Sequence, residues 1–289
     1  MLDKRGGPIS GQPNWSAGFM PTMFQGTLFR PSGNPILDLQ GPSHLDAVAQ
    51  RHQLDLLAQL NQKHLDERPG SRELVARIET YELAYRMQSE APDTVDLSKE
   101  TQTTRDLYGI GKQPTDEYGR NCLIARRLVE RGVRFILLYS GGGHLEDTWD
   151  GHESIEKNHG LHGAEVDQPI AALLTDLEQR GLLESTLVVW GAEFGRMPFS
   201  EGRDAPGRNH NPYGFSMWMA GGGVKGGMSF GETDEFGFQA MVDKTHVHDI
   251  HATILHLMGI DHEDLSYFHQ GRQETLTDVH GRVIREICA

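Results

Sequence analysis

The 289-residue sequence is poor in cysteine, in basic residues and in long apolar runs, and each shortage excludes a class of protein. Its two cysteines, Cys122 and Cys288, are too few for a disulfide framework, so we expect unbridged thiols. The 27 lysines and arginines are outnumbered by 41 aspartates and glutamates, and the net charge of −14 argues against binding to nucleic acid or to an anionic membrane. Apolar runs such as residues 135–139 and 187–190 are strand-sized, far below the roughly 18 residues of a membrane span.

Several familiar catalytic signatures are absent as well. No Gly-x-Ser-x-Gly motif is present, and the glycine runs at residues 141–143 and 221–223 lack the Gly-Lys-Ser/Thr ending of a phosphate-binding loop. The first residues contain no apolar segment, which predicts that this chain has no signal peptide. Glycine and histidine, in contrast, are abundant at 34 and 15 residues, and so many histidines in an acidic chain suggest metal binding.

We expect a single domain over residues 1–289, built from three regions. Residues 1–42 alternate proline with glycine and predict a loop-rich opening segment. Residues 43–131 predict a helical insertion, which starts with a capping pattern at Ser43. Residues 132–289 predict an α/β core that contains the candidate site.

This last region has the pattern of an α/β fold. Apolar runs of strand length alternate with amphipathic helical patterns along the chain, at residues 133–139, 165–180, 186–190, 215–220 and 246–258. Near-continuous apolar runs are typical of strands that are buried on both faces, as in a parallel sheet. We therefore predict an α/β domain with a mostly parallel sheet.

Ligands of open α/β sheets bind beyond the carboxyl ends of the strands, and polar side chains gather there in this sequence. They are His144, Glu146, Asp147, Asp150 and His152 after the first strand, Glu193 and Arg196 after the second, and Arg208 and His210 before the third. Asp150 and His152 lie two apart on a glycine-containing turn, so both can face one ion. This donor pair suits Zn, Mn or Fe better than Ca. The alternative is an exposed acidic turn.

Glu193 directly follows a predicted buried strand, so its carboxylate needs an ion, an arginine or several donors. An ion pair with Arg196 or Arg208 is the alternative to metal binding. The two arginines can instead clamp an anionic substrate, because guanidinium groups match phosphate and sulfate oxygens. His210 lies in a loop of Gly, Asn and Pro rather than on an apolar face, which favours a role in a site.

A second group of histidines lies at the start of the last predicted helix. His248 and His251 are three residues apart, share a helix face and could bind a metal. The alternative, which the sequence favours, is a polar helix start with Asp249 as an acid in the first turn.

Several motifs, taken in order, resemble the DUF1501 family, a bacterial group placed with the sulfatase/alkaline-phosphatase-like superfamily. They are PNWSAGFMP at 13–21, WDGH at 149–152, LVVWGAEFGR at 187–196, GRNHNP at 207–212, AGGGVKGG at 220–227 and HVHDIHATIL at 246–255. The resemblance covers essentially the whole chain. It implies a three-layer α/β/α sandwich of the alkaline-phosphatase type, with a mostly parallel sheet and two divalent metal ions at the strand ends.

The resemblance also implies roles for individual residues. Asp150 and His152 correspond to a ligand pair, and His210 corresponds to a late histidine ligand. Glu193 stands where relatives carry the aspartate of an Asp-His pair, and Phe194 stands in the place of the histidine. The phenylalanine leaves one ligand fewer for a second metal.

Members of this family typically carry a long additional segment upstream, often with a twin-arginine signal. The resemblance therefore implies that this chain is N-terminally truncated and lacks an early strand that would hold the first metal carboxylate. It also implies an exported, periplasmic location, although no signal peptide is expected in this chain.

Residues and resemblance together predict a metal-dependent hydrolase of phosphate or sulfate esters. The expected cofactor is a divalent ion (Zn, Mn, Ca or Mg), and the expected partner is an anionic small-molecule or glycan ester. The expected metal ligands are Asp150, His152, Glu193 and His210, and the expected oxyanion clamp is Arg196 or Arg208. The alternative is a catalytically inactive member of the same fold that binds a metal or a glycan.

Overall fold

The computed structural model describes residues 1–18, 20, 24–30, 35–37, 39, 45–143, 148–202 and 205–289. His144, Glu146 and Asp147, which the sequence places beside the candidate site, lie outside the described residues, as does Ser43. The described parts of residues 1–42 contain a short 3-10 helix, Gln12–Trp15, among loops.

The helical patterns of the sequence form α-helices, and the structure adds a short helix at Gln102–Leu107 that no pattern predicted. The helices are α1 (Ala47–Asp66), α2 (Arg72–Val95), α3 (Gln102–Leu107), α4 (Asp116–Glu130), α5 (Ile155–Gln179) and α6 (Val247–Leu257). The Asp46 side chain caps α1 by accepting a hydrogen bond from the amide of Ala49 at 2.7 Å. Helix α5 begins well before the predicted start at residue 165, so His159 and His162 lie in the helix.

The strands are short. Within the described residues they form only two-stranded antiparallel sheets. The strands are β1 (Val188–Trp190), β2 (Gly195–Gly202), β3 (Ala205–Asn211), β4 (Trp218–Ala220), β5 (Glu232–Thr233), β6 (Ala240–Val242), β7 (Ser266–His269) and β8 (Arg272–Thr275). The pairs are β1 with β4, β2 with β3, β5 with β6, and β7 with β8. The prediction of a mostly parallel, three-layer, alkaline-phosphatase-like sandwich is therefore wrong, and the fold is mixed α/β with small antiparallel sheets.

The segment at residues 133–139 shows why no parallel sheet forms. Its apolar run predicts a strand buried on both faces, yet it forms no strand, and Phe135 is 74% exposed. Its backbone contacts residue 1 instead: the Met1 ammonium donates to the carbonyl of Leu137 (2.5 Å), and the amide of Tyr139 donates to the carbonyl of Met1 (3.0 Å). No described strand pairs with residues 133–139. The strand–helix–strand unit that would begin a parallel sheet therefore lacks its first strand.

The chain forms two compact units. The first contains Met1–Arg105 and Leu123–Gly143, and the second contains Asp106–Cys122 and His144–Ala289. This division cuts across the predicted helical insertion at residues 43–131. The second unit contains all the described strands, and its buried apolar side chains come from both α5 and α6, among them Val166, Leu173, Leu177, Ala252 and Leu255.

Both cysteines are free thiols, as predicted. Cys122 is fully buried, and burial raises the pKa of its thiol, which keeps it protonated and unreactive. None of the helices that the structure describes is long and apolar enough to cross a membrane.

Charged side chains are buried in the first unit near the end of α4. Arg126, whose side chain is 2% exposed, forms ion pairs with Glu100 (2.8 Å) and Glu130 (2.6 Å). Arg127 also pairs with Glu100 and donates to the carbonyl of Thr94 at 2.7 Å. Burial alone would raise the pKa of Glu100, but hydrogen bonds from Arg127 and Arg126 outweigh it and hold the pKa below its ordinary value.

Replacing Glu100 by glutamine is expected to lower the free energy of unfolding by about 3 kcal/mol, because two buried guanidinium groups lose their shared counter-charge. The pKa of Glu100 is lowered in the folded state, so this stabilisation is present above the ordinary glutamate pKa and is lost as the pH falls through the folded-state pKa. Urea denaturation at several pH values, followed by circular dichroism, measures both effects.

The control for this prediction is Glu286→Gln, which removes the exposed ion pair between Arg282 and Glu286. Exposed pairs contribute little to stability, so we expect almost no change. If the two variants change the free energy of unfolding by similar amounts, the buried ion pairs around Arg126 contribute no more to stability than an exposed pair.

Candidate metal centre

A short turn at residues 148–152 carries the first candidate ligands. The amide of Asp150 donates to the hydroxyl of Thr148 at 3.0 Å. Helix α5 holds the turn from one side: the Asn158 side-chain amide donates to the carbonyl of Thr148 (2.9 Å), and Nε2 of His159 lies 3.2 Å from the carbonyl oxygen of Trp149. The Asp150 carboxylate is therefore presented by a turn that is fixed to a helix.

The side chain of Trp149 anchors the same turn. Its ring packs on His162, with 5.2 Å between the ring centroids, and meets Trp190 edge-on at 5.9 Å. His162 is fully buried, and its Nδ1 lies 3.4 Å from a carboxylate oxygen of Glu165. Because aromatic packing of this kind fixes both the position and the tilt of a ring, it restricts how far the adjacent Asp150 can move.

The β2–β3 hairpin carries the other candidate groups. Arg196 and His210 are directly opposite each other across its two strands, so their side chains are neighbours. The backbone of β3 is also joined to the turn, because the amide of Arg208 donates to the carbonyl of Gly151 at 2.9 Å. Hairpin and turn together therefore bring Asp150 and His210 to one place.

Gly207 makes this close approach possible. A Cβ atom at this position would overlap the carbonyl group of His152 and also touch the amide nitrogen of Glu153. Only a residue without a side chain lets β3 pass so near the turn.

Three ligand atoms meet where hairpin and turn join. The Oδ1 atom of Asp150 lies 3.2 Å from Nε2 of His152 and 3.0 Å from Nε2 of His210, and the two nitrogens are 3.0 Å apart. We call Asp150, His152 and His210 the triad. Within the described part of the chain it is the one group of three or more acidic, histidine or cysteine residues whose ligand atoms come this close.

Hydrogen bonding alone cannot make all three contacts of the triad favourable. An imidazole Nε2 carries at most one proton. If both nitrogens donate to Oδ1 of Asp150, the contact between His152 and His210 sets two N–H groups side by side. If one nitrogen is unprotonated, its lone pair faces the carboxylate oxygen. A cation among the three atoms would satisfy all of them.

Arg196 is the fourth member of the cluster and already pairs with the triad. Its guanidinium donates to Oδ1 of Asp150 at 2.5 Å, to the carbonyl of Trp149 at 3.3 Å and to the carbonyl of Arg208 at 3.1 Å. Burial alone would raise the pKa of Asp150, but hydrogen bonds from Arg196 and His210 outweigh burial and hold the pKa below its ordinary value.

The structure thus brings together four of the six residues proposed from sequence, Asp150, His152, Arg196 and His210. Glu193 is exposed and is not part of the group of ligand atoms in the described chain. The Arg208 side chain donates to the neighbouring carbonyl of Gly207 at 2.9 Å. The ring of Phe194 packs against the ring of His210 at a tilt of 31°, with 4.1 Å between centroids, and so positions that imidazole.

Sequence reasoning did not identify the residues that hold the triad in place. His159 was not recognised because the predicted α5 begins after it. Gly207 was part of a motif, but its role depends on an approach between two distant segments, and no local pattern reveals such an approach. Trp149 was not identified either, although an aromatic residue directly before a ligand pair is a usable signal of an anchor.

One comparison with known proteins gives a match. The family described as a protein of unknown function (DUF1501) matches residues 1–288 of the chain. Comparison with curated proteins gives no match, and neither does comparison with solved structures.

Gly207→Ala is expected to push β3 away from the turn and to lower the thermal unfolding midpoint, because its Cβ overlaps backbone atoms. Histidine NMR signals should show that the contact between His152 and His210 is lost. The matched control is Gly163→Ala in α5, where a Cβ meets open space and alanine should stabilise the helix by about 1 kcal/mol. An unchanged midpoint for Gly207→Ala would contradict the close approach.

Arg196→Met is expected to raise the pKa of Asp150 in metal-free protein, because the carboxylate loses its strongest donor and an adjacent positive charge. Carboxyl ¹³C NMR during an acid titration measures the change. The stability that ionised Asp150 contributes above the ordinary aspartate pKa, and loses as the pH falls, should shrink in this variant. Arg208→Met is the control and should leave the pKa of Asp150 unchanged.

Proposed function

The chain belongs to the DUF1501 family, and we propose that its triad binds one divalent transition-metal ion with which the protein hydrolyses phosphate or sulfate esters. The observation that carries this proposal is the triangle of Asp150, His152 and His210, with edges of 3.0, 3.0 and 3.2 Å. Asp150, His152 and His210 would hold such an ion through one carboxylate oxygen and two imidazole nitrogens. The proposed similarity to sulfatase-like enzymes concerns the type of reaction and not the fold.

The donor set of the triad favours some metals over others. Two imidazoles with one carboxylate suit Zn, or Mn as a second choice, whereas Ca and Mg prefer sites made of oxygen atoms. Three protein ligands leave a coordination position for water or substrate, which distinguishes catalytic from structural zinc sites. The exposure of the triad side chains, 28% to 41%, leaves that position accessible.

In the proposed reaction, water attacks the phosphorus or sulfur atom of the ester, the P–O or S–O bond to the alcohol breaks, and the alcohol leaves with a proton that the attacking water has released. A bound ion would supply an activated water and polarise an ester oxygen. Arg196 positions Asp150, because its donors are used on that carboxylate and on two carbonyls of the site.

Arg208 is the better candidate for the residue that contacts the anionic group. It lies two residues from His210 along β3, so strand alternation places both side chains on one face. Among the described residues no carboxylate forms an ion pair with it, so its charge is available to a substrate. We therefore assign Arg208 to binding and Arg196 to positioning.

A specific observation favours the alternative function, a metal-binding protein without turnover. Glu193 is exposed, and Phe194 packs against His210 where relatives are expected to carry a ligand. The described residues therefore provide ligands for one ion here, whereas the expected chemistry of the superfamily uses two. Binding and turnover must be measured separately to decide between the two functions.

Isothermal titration of EDTA-treated protein with Zn²⁺ and Mn²⁺ tests the binding step. We expect a binding event that disappears in Asp150→Asn and in His210→Gln, because each variant removes one of three ligands. Two controls should retain it: Glu193→Gln, which alters the exposed carboxylate, and His256→Gln, which removes an exposed imidazole from α6. A binding event that depends on Glu193 but not on Asp150 would overturn the assignment.

Hydrolysis of 4-nitrophenyl phosphate and 4-nitrophenyl sulfate tests the reaction. Turnover should require added metal and be lost in His152→Gln. Arg208→Met should raise KM more than it lowers kcat, because the residue is assigned to binding the anion. Metal binding at the triad without any turnover would support the inactive alternative and reject the hydrolase.

A further inference from the structure

Three histidines outside the triad lie close together in the second unit. His246 caps the start of α6, His248 lies in its first turn, and His280 comes from the segment that follows β8. The ring centroids are 4.9 Å apart for His246 and His248, 5.6 Å for His248 and His280, and 6.4 Å for His246 and His280. The sequence could not show this group, since His280 is distant along the chain.

With a small rotation of the rings, these separations would suit three imidazoles around one ion, whereas in the structure the three ligand nitrogens do not all lie within 4.8 Å of one another. A Zn–N distance of about 2.0–2.1 Å puts each ring centre about 3.2 Å from the metal, so rings at tetrahedral angles lie about 5.2 Å apart. The two separations that involve His248 lie close to that value. The distance between His246 and His280 needs to shorten by about 1 Å, a movement within reach of side-chain rotation.

The backbone that carries these rings is held by Asp249. Its carboxylate accepts a hydrogen bond from the amide of His246 (2.9 Å) and another from the amide of Arg282 (2.7 Å). The same side chain therefore joins the start of α6 to the segment that carries His280. A frame fixed in this way lowers the entropy that a ligand must overcome to bring the rings together.

The rings are available to a ligand. His246 and His280 are exposed and His248 is half-buried. His246 uses Nδ1 to accept from the amide of His248 at 3.3 Å, which leaves its Nε2 for a metal. In the part of the chain that the structure describes, the side chains of His248 and His280 form no hydrogen bond, so their nitrogens can rotate toward an ion. His251, in contrast, is engaged with the carbonyl of Val247 at 2.8 Å.

The charge around the three rings favours a cation. A cavity of about 620 Å³ opens beside His246 and His280, and the carboxylates of Asp249, Glu263 and Asp278 line it. The one guanidinium in the lining belongs to Arg282, which is paired with Glu286 at 3.2 Å. The negative field of the carboxylates lowers the energy of a divalent ion bound by neutral imidazoles.

We propose that His246, His248 and His280 form a second site for a divalent transition metal, which joins the start of α6 to the segment after β8. Nitrogen ligands and borderline-soft ions match, so Zn²⁺ and Ni²⁺ are the expected occupants. The site is independent of the triad, because it shares no residue with it. Bound metal stabilises the folded chain, since the unfolded chain does not hold the three rings together.

The experiment uses the full chain with the triad disabled by Asp150→Asn and His210→Gln together. Titration with ZnCl₂ and NiCl₂ should still show one binding event and a rise in the thermal unfolding midpoint. Adding His280→Gln should abolish both, and adding His248→Gln should do the same. Adding His256→Gln, which removes an exposed histidine of the same helix, should change neither.

Histidine NMR identifies the ligands directly, because Zn²⁺ should shift the ring signals of three histidines and leave that of His256 in place. Circular dichroism confirms that each variant is folded, and His280→Asn provides a second substitution if His280→Gln is not. The proposal is overturned if the triad-disabled protein binds neither metal, or if its binding survives both His280→Gln and His248→Gln. Metal binding at the triad is tested separately, by the binding event that Asp150→Asn and His210→Gln remove.

Discussion

The Oδ1 atom of Asp150 is the point on which the candidate site depends. Two imidazole nitrogens and a guanidinium lie within 3.2 Å of this single oxygen. A carboxylate oxygen readily accepts from Arg196, but the contact between His152 and His210 gains nothing from that pair. A cation that both nitrogens and the oxygen could face would make all three contacts favourable, and this is the geometric support for the proposed metal site.

Both halves of the site are held in place by packing and hydrogen bonds. The turn is held by α5 and by the packing of Trp149 on His162. The hairpin is held by the bond from the Arg208 amide to Gly151 and by the space that Gly207 leaves. Rigid elements of this kind keep ligands in place before a ligand is bound, and such preorganisation lowers the cost of binding.

The sequence predicted which residues come together better than it predicted the fold around them. Asp150, His152 and His210 were recognisable because a carboxylate and imidazoles in turns rich in glycine rarely serve the core. Glu193 was misleading because β1 ends at Trp190 and leaves the following residues exposed. The parallel sheet was wrong because an apolar run shows that a segment can be buried, but not whether a partner strand is present, as residues 133–139 demonstrate. The group of His246, His248 and His280 could not be predicted, since His280 comes close to α6 only in the tertiary structure.

Charge balance connects the proposed metal with the proposed substrate. Asp150 and Arg196 neutralise each other, so the triad with neutral imidazoles has almost no net charge of its own to attract an anion. The chain as a whole carries −14, which repels phosphate and sulfate esters at long range. A divalent ion in the triad would add two positive charges next to Arg208 and make this the place where an anionic ester is favoured. A bound metal would then determine which substrate can approach as well as how it reacts, so under this proposal anion binding and metal binding should be lost together.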